Sequence, residues 1–441
     1  MSLPILPGAR DWPSLLLARA GVDPEGGIEA AEQAGAWSAY RKAVASLTPD
    51  GVISMISESG LRGRGGAGYP TGNKWRDCAA QPERQRYVVA NGFEADPGAQ
   101  LDRALMETDP HAVVEGVAIA SWAIRADAAI IVVQPSAATA AGRLRRAITE
   151  AEARGYIGAE AIETGRPLSV EVRELAGSFV VGEETVLLRA LEHRRAQPDQ
   201  RPPHPTRKGL WGRPTVVNNV KTLAAVPWIV SHGAGAYASL GSPEAPGTTL
   251  VQLAGAIRKP GIVEVPLGVS IREVLDGPGG FVKGGLKAVL VGGPTGGFLP
   301  VEALDTTFGY SALAEAGALA GSGSLVALDE DACIVDLAAL MTRYLNDGSC
   351  GKTIPCRIGT RRMAELAASF CAGHARPTDE QRLVDLSADV RAGALCGLEA
   401  DASNPLLSGM RYFSAEFEDH IVRGSCPAGV CQPTSLAGAA R

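Results

Sequence analysis

The sequence predicts an α/β fold in parts: a layer built on a largely parallel sheet, then a small α+β domain of β-grasp size, then an all-helical segment. Three observations carry this. Buried-strand patterns alternate with helical ones across residues 52–230, as strands joined by helical crossovers do. Short alternating strands separated by Gly-Pro turns fill 248–328. Beyond residue 331 the pattern is helical, and six of the eight cysteines lie there: Cys350, Cys356, Cys371, Cys396, Cys426 and Cys431.

Taken in order, residues 1–50 are rich in Ala and Gly and read as a peripheral extension with one helix near 28–46. RYVVANG (86–92), AAIIVVQP (128–135) and GSFVVGEE (177–184) read as buried strands ending in turn or polar residues, with helices over 109–124 and 137–154 between them. Strands follow at 249–255, 261–268 and 287–293, with a helix at 270–275, and the helical segment opens over 331–344. A chain of 441 residues exceeds one ordinary domain. At 46% hydrophobic and 20% charged it has globular composition. Its net charge of -6 gives no argument for nucleic acid or a membrane surface as partner. The longest stretch without a charged residue, 222–243, holds Pro227, His232 and several glycines and is a poor membrane helix. The N-terminus lacks a basic region followed by an apolar core, so neither signal peptide nor membrane insertion is expected, and the location expected is cytoplasmic. In such a chain the cysteine cluster points to metal or Fe–S binding before disulfides. Cys78 and Cys333 stand apart, and Cys78 reads as a core thiol.

The sharpest motif is GLRGRGGAGYPTGNKW, residues 60–75. Its glycines let backbone N–H groups turn toward an anion, and Arg62, Arg64 and Lys74 supply cations. The spacing is neither a dinucleotide fingerprint nor a P-loop; the alternative is a surface loop. Three more segments end in polar clusters: NGFEADPG (91–98), VGEET (181–185) and VVNNVKT (216–222). In open α/β sheets ligands bind at the carboxyl ends of strands. Each cluster also has an ordinary reading, as a solvated turn or as a helix N-terminus favoured by the dipole.

As a set these strings, together with GSFVVGEETVLLRALEHRRAQP, RPPHP, GLWGRPTVVNNVKTLAAVP, GGPTGGFLP and SCGKTIPCRIGT, resemble the NADH-binding flavoprotein subunit of respiratory complex I and its relatives in soluble NAD-linked hydrogenases and formate dehydrogenases. They run in the family's order from about residue 52 to 420. The resemblance implies an extension (1–50), a Rossmann-like FMN/NADH-binding domain (51–245), a β-grasp, SLBB-like domain (246–330), a helical bundle with a [4Fe–4S] cluster (331–420) and a cysteine-containing tail (421–441). It assigns Gly63, Arg64, Gly65, Gly66 and Lys74 to the FMN phosphate and nearby atoms. Asn91, Glu94, Gly182, Glu183, Asn218, Asn219 and Thr222 fall to the ribityl chain and ring. Tyr69 would pack on the nicotinamide nucleotide, Glu184 would contact it, and His204 would sit near the adenine. No side chain need act as general acid or base in the hydride step, because the cofactors carry the chemistry.

The chain departs from the family pattern at several positions. Phe93 replaces an Asp that approaches the flavin, and a bulky ring there would obstruct the site. Asp96 replaces a Glu near the nucleotide and keeps the charge that disfavours a 2′-phosphate, so NAD(H) is expected. In the cluster motif Cys350, Cys356 and Cys396 match, but Thr353 stands where the second Cys belongs, and a hydroxyl is a far weaker iron ligand than a thiolate. Three outcomes stay open: a cluster with three thiolates and another ligand, a smaller or labile cluster, or none. In the tail, His420, Cys426 and Cys431 have spacing suited to Zn, with a fourth thiol such as Cys371; otherwise they are ordinary thiols.

The expected function is a diaphorase-type subunit that exchanges a hydride between NAD(H) and FMN and single electrons with Fe–S clusters in a soluble multi-subunit oxidoreductase. Expected partners are a [2Fe–2S] thioredoxin-like subunit or domain, expected as a separate chain, and a metal-dependent dehydrogenase or hydrogenase subunit. The alternatives are the peripheral-arm subunit of complex I and a scaffold that has lost cofactors.

Overall fold

The computed structural model describes residues 3–431 apart from 10, 23, 160, 162–164 and 281–284; residues 432–441 of the expected tail lie outside the described residues. Strands β1 (Tyr87–Gly92), β2 (Ala128–Val133), β3 (Ser169–Glu174) and β4 (Thr215–Asn219) form a wholly parallel sheet in the order β3-β2-β1-β4. Successive side chains on a strand face opposite ways. Here Val88, Ala90, Ile131 and Val133 join a core with the helices Pro110–Ile124, Ala138–Ala153 and Val220–His232. Tyr87, Val89, Ile130 and Val132 join a second core with the helix Glu184–Leu191 and with the cysteine-bearing bundle. The sheet is therefore covered on both faces, which is why its two central strands are near-continuous apolar runs.

Helix Pro110–Ile124 is apolar on nearly every side, as a helix between layers must be. Its start is fixed by Pro110 in the first turn and by Asp109, whose carboxylate accepts from the Ala112 N–H at 3.0 Å. The strand expected over 177–184 is not formed. Phe179–Gly182 is a 3-10 turn, after which Glu183 caps the next helix by accepting from the N–H groups of Thr185 and Val186. The strand in that region is β3, whose half-polar SVEVRE pattern suits the sheet edge it occupies.

The N-terminal segment is less peripheral than its composition suggests. Trp37 and Tyr40 are fully buried. The Glu264 carboxylate accepts from the backbone N–H groups of Leu15, Leu16 and Leu17 at 2.8–2.9 Å, tying the segment to the next domain. The single helix expected near 28–46 is two, Gly27–Gln33 and Ser38–Ser46, separated by Trp37 in a left-handed conformation.

The second sheet comprises β5 (Thr248–Gly255), β6 (Gly261–Pro266), β7 (Leu286–Val291), β8 (Gly297–Pro300) and β9 (Ser324–Asp329), in the order β6-β5-β9-β7-β8. Only β5 and β9 pair in parallel. The helix Ile271–Asp276 begins at a capping box of Ser270 and Glu273. The bundle is built from Ile334–Asp347, Arg361–Cys371, Asp379–Ala392 and Asn404–Tyr412. Among the described residues no helix is long and apolar enough to cross a membrane.

Candidate functional site

The strand order reverses between β1 and β4, and the crevice outside the carboxyl ends of such strands is where open α/β sheets bind ligands. Here β1 ends in Asn91 and Gly92 and β4 in Asn218 and Asn219, with Asn91 and Asn219 paired in register. Asn219 Nδ2 donates to the Asn91 carbonyl at 3.2 Å and to Asp102 at 2.6 Å, and Asn91 Nδ2 donates to the Gly182 carbonyl at 3.0 Å. Asn218 is buried and uses Oδ1 to accept from Trp75 Nε1 at 2.9 Å. Among the described residues nothing accepts from its Nδ2, which leaves two amide donors for a ligand.

The glycine loop joins the helices Pro49–Glu58 and Thr71–Ala79 beside these strand ends. The Gly63 N–H donates to the Tyr69 carbonyl and the Gly63 carbonyl accepts from the Tyr310 hydroxyl, both at 2.9 Å. Gly66 has a φ of 115°, and a Cβ there would meet the Gly321 carbonyl at 3.2 Å, so only glycine suits it. A Cβ on Gly65 would press on Asn219 at 3.2 Å. Arg64 does not serve as a loop cation. Its guanidinium is buried, donating to the Thr248 and Pro246 carbonyls and to the hydroxyls of Tyr237 and Tyr310. It staples the loop to the β-grasp domain, while its N–H donates to Thr222 Oγ1 at 2.8 Å.

Of the other two cations, Arg62 stands 5.7 Å from the Tyr310 ring centre, and Lys74 lies against the end of β4. Its Nζ lies 2.9 Å from both Glu184 Oε2 and the Val217 carbonyl, and 5.8 Å from the Tyr69 ring centre. Burial opposes ionisation of Glu184, but Lys74 and then Arg201 outweigh it and hold the carboxyl below its usual range. Tyr69 is 54% exposed, a ring standing free beside an ion pair. His204 is also exposed and lines a shallow hollow with Pro202, Pro203 and Arg207.

Two carboxylates assigned from the sequence turn out to be bonded within the protein. Glu94 accepts from the N–H groups of Asp102 and Arg103 at 2.8 and 3.1 Å, at the start of helix Leu101–Thr108. Burial, with the Asp102 charge adding to it, pushes Glu94 up to about 7. Asp96 accepts from the Ser322 hydroxyl. Phe93, expected to obstruct the site, points into the protein interior. Its ring is fully buried in the core shared with Val180 and Val181, and a cavity of about 400 Å³ remains open beside it, bounded by residues 92–100, Phe179 and Tyr344.

The sequence reading missed Asp102 and Lys221, which form a buried ion pair at 3.1 Å beneath the asparagines. Lys221 is 1% exposed and also donates to the Ser322 carbonyl. Lys221 lies in the string VVNNVKT, but nothing local distinguishes a buried lysine from a solvated one.

In the bundle, Cys356 lies on a π-helical turn, Pro355–Thr360, and Cys396 at the start of the helix Gly397–Asp401. Burial pushes the Cys396 thiol up to about 12 and raises Cys356 as well, although the Ser349 hydroxyl, 3.1 Å away, opposes the latter. Thr353 Oγ1 donates to Glu399 Oε1 at 2.5 Å and accepts from the Cys356 N–H at 3.3 Å. Cys350, Cys356, Cys396 and Glu399 are residue types suited to iron, but among the described residues their ligand atoms are not drawn within 4.8 Å of one another.

A second group is compact. One ligand atom from each of Cys333, His420, Cys426 and Cys431 lies within 4.8 Å of all the others. His420 Nδ1 donates to the Glu416 carbonyl at 2.7 Å, which leaves Nε2 free to ligate. Cys426 is pulled down to about 7: burial opposes this, but the N–H groups of Cys431 and Val430 favour the thiolate. The fourth member is Cys333 and not Cys371, which groups instead with Asp336 and Cys431. Cys333 looked solitary because its partner His420 lies 87 residues on.

The chain matches the family model described as the Nuo51 FMN-binding domain over residues 56–228. It also matches the SLBB domain over 250–299 and the NADH-ubiquinone oxidoreductase-F iron-sulfur binding region over 336–420. It is 41% identical to the NADP-reducing hydrogenase subunit HndC of Solidesulfovibrio fructosivorans, over 88% of this chain and 79% of that one. It is 37% identical to an F-type subunit of the NADH-quinone oxidoreductase of Rhizobium meliloti (strain 1021), over 90% and 94%. Its structure is similar to that of an NAD+-reducing [NiFe]-hydrogenase in the H2-reduced state, with a TM-score of 0.82 and 30% identity over 95% of this chain and 68% of that one.

Proposed function

The chain belongs to the family of F-type NADH-quinone oxidoreductase subunits and HndC-type hydrogenase subunits, and from that premise we propose that it is a diaphorase-type subunit binding FMN, NAD(H) and an iron–sulfur cluster. The observation that carries this is the set of asparagine amides at the β1 and β4 ends, beneath a glycine loop, with the Asn218 donors free. FMN, when bound, accepts the hydride and releases electrons singly. Asn91, Asn218 and Asn219 would orient it, held by Asp102 and Lys221 below. Lys74 would supply positive charge beside Gly65 and Gly66. Tyr69 would offer the nicotinamide nucleotide a ring face, and Glu184 would keep Lys74 in place. Asp96 keeps a carboxyl where a 2′-phosphate would be repelled, which favours NAD(H). Gly63, Gly182, Glu183 and Thr222 shape the backbone around the site, while Arg64 and Glu94 hold loops and helix ends.

Cys350, Cys356 and Cys396 would hold the cluster. Cys333, His420, Cys426 and Cys431 would hold Zn²⁺; Cys333→Ala should reduce bound zinc from one per chain to none, and an unchanged zinc content would remove that assignment. Partners are further redox subunits, with a [2Fe–2S] thioredoxin-like chain and a metal-dependent dehydrogenase or hydrogenase as the proposed neighbours; co-purification distinguishes these from a complex I arm. The test of the whole reading is an anaerobic visible spectrum before and after NADH. Flavin absorbance that bleaches supports it. A protein that stays colourless after reconstitution with FMN and iron is a scaffold.

A further inference from the structure

Thr353 occupies the ligand position left without a thiol, between Cys350 and Cys356. Its hydroxyl is a poor iron ligand and already has two hydrogen bonds, one donated to Glu399 and one accepted from the Cys356 N–H. The group behind it is unusual. Glu399 is 2% exposed, and among the described residues no cation pairs with it. A buried carboxylate without a counter-charge is costly unless a cation or metal compensates it. Glu399 Oε1 accepts from Thr353 and Oε2 from the Leu395 N–H at 2.9 Å. A carboxylate has about four lone-pair sites, so roughly half its acceptor capacity is left.

Glu399 also belongs to the thiol site. It lies in the first turn of the short helix that Cys396 opens, three residues from that thiol. Its charge adds to the burial that raises the Cys356 thiol. Glu399 therefore adjoins two of the three thiols and touches the residue that replaces the fourth. A bound iron ion would supply the missing positive charge, and carboxylate oxygen is an established ligand for iron.

We propose that the cluster in this chain has an oxygen-ligated iron: the Glu399 carboxylate takes the place of the missing thiolate, with the Thr353 hydroxyl donating to it and fixing its orientation. The proposal rests on the reading that the bundle holds an iron–sulfur cluster, and it deepens that reading by naming the fourth ligand. It predicts a site-differentiated cluster, with three irons on thiolates and one on oxygen.

The test uses the full chain with FMN bound, reconstituted anaerobically with isotopically enriched iron and sulfide. Wild type, Glu399→Gln and Thr353→Cys are compared by iron and sulfide content, Mössbauer spectroscopy and electron paramagnetic resonance. Glutamine keeps one acceptor oxygen, for the Leu395 N–H, removes the charge, and turns an amide N–H2 toward the Thr353 hydroxyl. The expected result is four irons in the wild type, one of them with an isomer shift distinct from the rest. Glu399→Gln should lose one iron in four and give an oxidised three-iron signal. Thr353→Cys should hold four irons and lose the distinct site. Bound FMN in each variant checks that the fold is kept. If Glu399→Gln fails to fold, the wild-type Mössbauer spectrum decides alone, and four equivalent irons overturn the proposal. It is also overturned if Glu399→Gln matches the wild type in iron content and spectrum, or if the wild type takes up no fourth iron while Thr353→Cys does. If neither wild type nor Thr353→Cys takes up iron, the cluster reading itself fails, and the proposal with it.

Discussion

The nucleotide crevice and the cysteine-bearing bundle meet the same sheet, but they are finished in opposite ways. In the crevice most polar groups already have partners within the protein: Asn219 with Asp102 and Asn91, Lys74 with Glu184, Asp96 with Ser322. The bundle brings thiols and one imidazole together with little to satisfy them. Burial raises Cys333, Cys356, Cys396 and Cys431, so without metal most of these are neutral, apolar side chains. Ligands must lose protons to bind metal, and that binding free energy becomes folding free energy. On the proposed reading the crevice is preformed for its ligand, and the bundle is completed by metal.

The largest effect should follow from removing metal. Chelation under anaerobic, reducing conditions should loosen the helices Ile334–Asp347 and Ser414–Ile421, which carry Cys333 and His420, by several kcal/mol, read as lost hydrogen-exchange protection. The strands β1 and β2 should keep theirs. Equal loosening of both regions would break the comparison.

Next in size is the buried pair beneath the crevice. Lys221→Met leaves the Asp102 carboxylate buried without its cation and should destabilise by about 3–5 kcal/mol in urea unfolding. Adding Asp102→Asn should recover most of that loss. If the single variant is neutral, the crevice is not preorganised by this pair.

A pH effect of about 3 kcal/mol should come from Glu115, which is fully buried and accepts from the Tyr40 N–H. Burial pushes it from 4.5 up to about 7, with Arg19 opposing. A folded value above the unfolded one means the neutral form is favoured in the fold. Its stability contribution is full below pH 4.5 and is lost as pH rises through about 7. Glu115→Gln should flatten that part of the stability profile, and a slope unchanged from wild type would refute the assignment.

Much of this was legible in the sequence where the signal is local. The helix Pro110–Ile124 is written in its apolar run and its Asp109-Pro110 start, and the glycine loop in its spacing. What escaped was long-range. Arg64 reads as a phosphate ligand until Tyr237, Tyr310 and the 246–248 segment are seen to enclose it. Cys333 reads as solitary until the fold brings the tail to it. Segment 177–184 has strand-like residues, but the Glu183 cap and the helix after it take its backbone. Tertiary partners override local propensity at these positions.

The smallest predicted effect on stability sharpens the comparison most. The Tyr69 ring is more than half exposed, and its described ring contact is with the Lys74 ammonium. Removing an exposed side chain of this kind changes stability by about 0.5 kcal/mol or less. Tyr69→Leu should therefore unfold as the wild type does, yet raise the KM for NADH several-fold with kcat nearly kept, because stacking on a nucleotide adds binding that ground and transition states share. Tyr69→Phe should behave as wild type, since the hydroxyl is not required for stacking. A receptor built in advance allows that separation: a residue that contributes nothing to the fold can still contribute to the ligand. Were Tyr69→Leu to lower kcat and KM together, the ring would be straining the bound nucleotide, and the crevice would depend on its ligand's state as the bundle depends on metal.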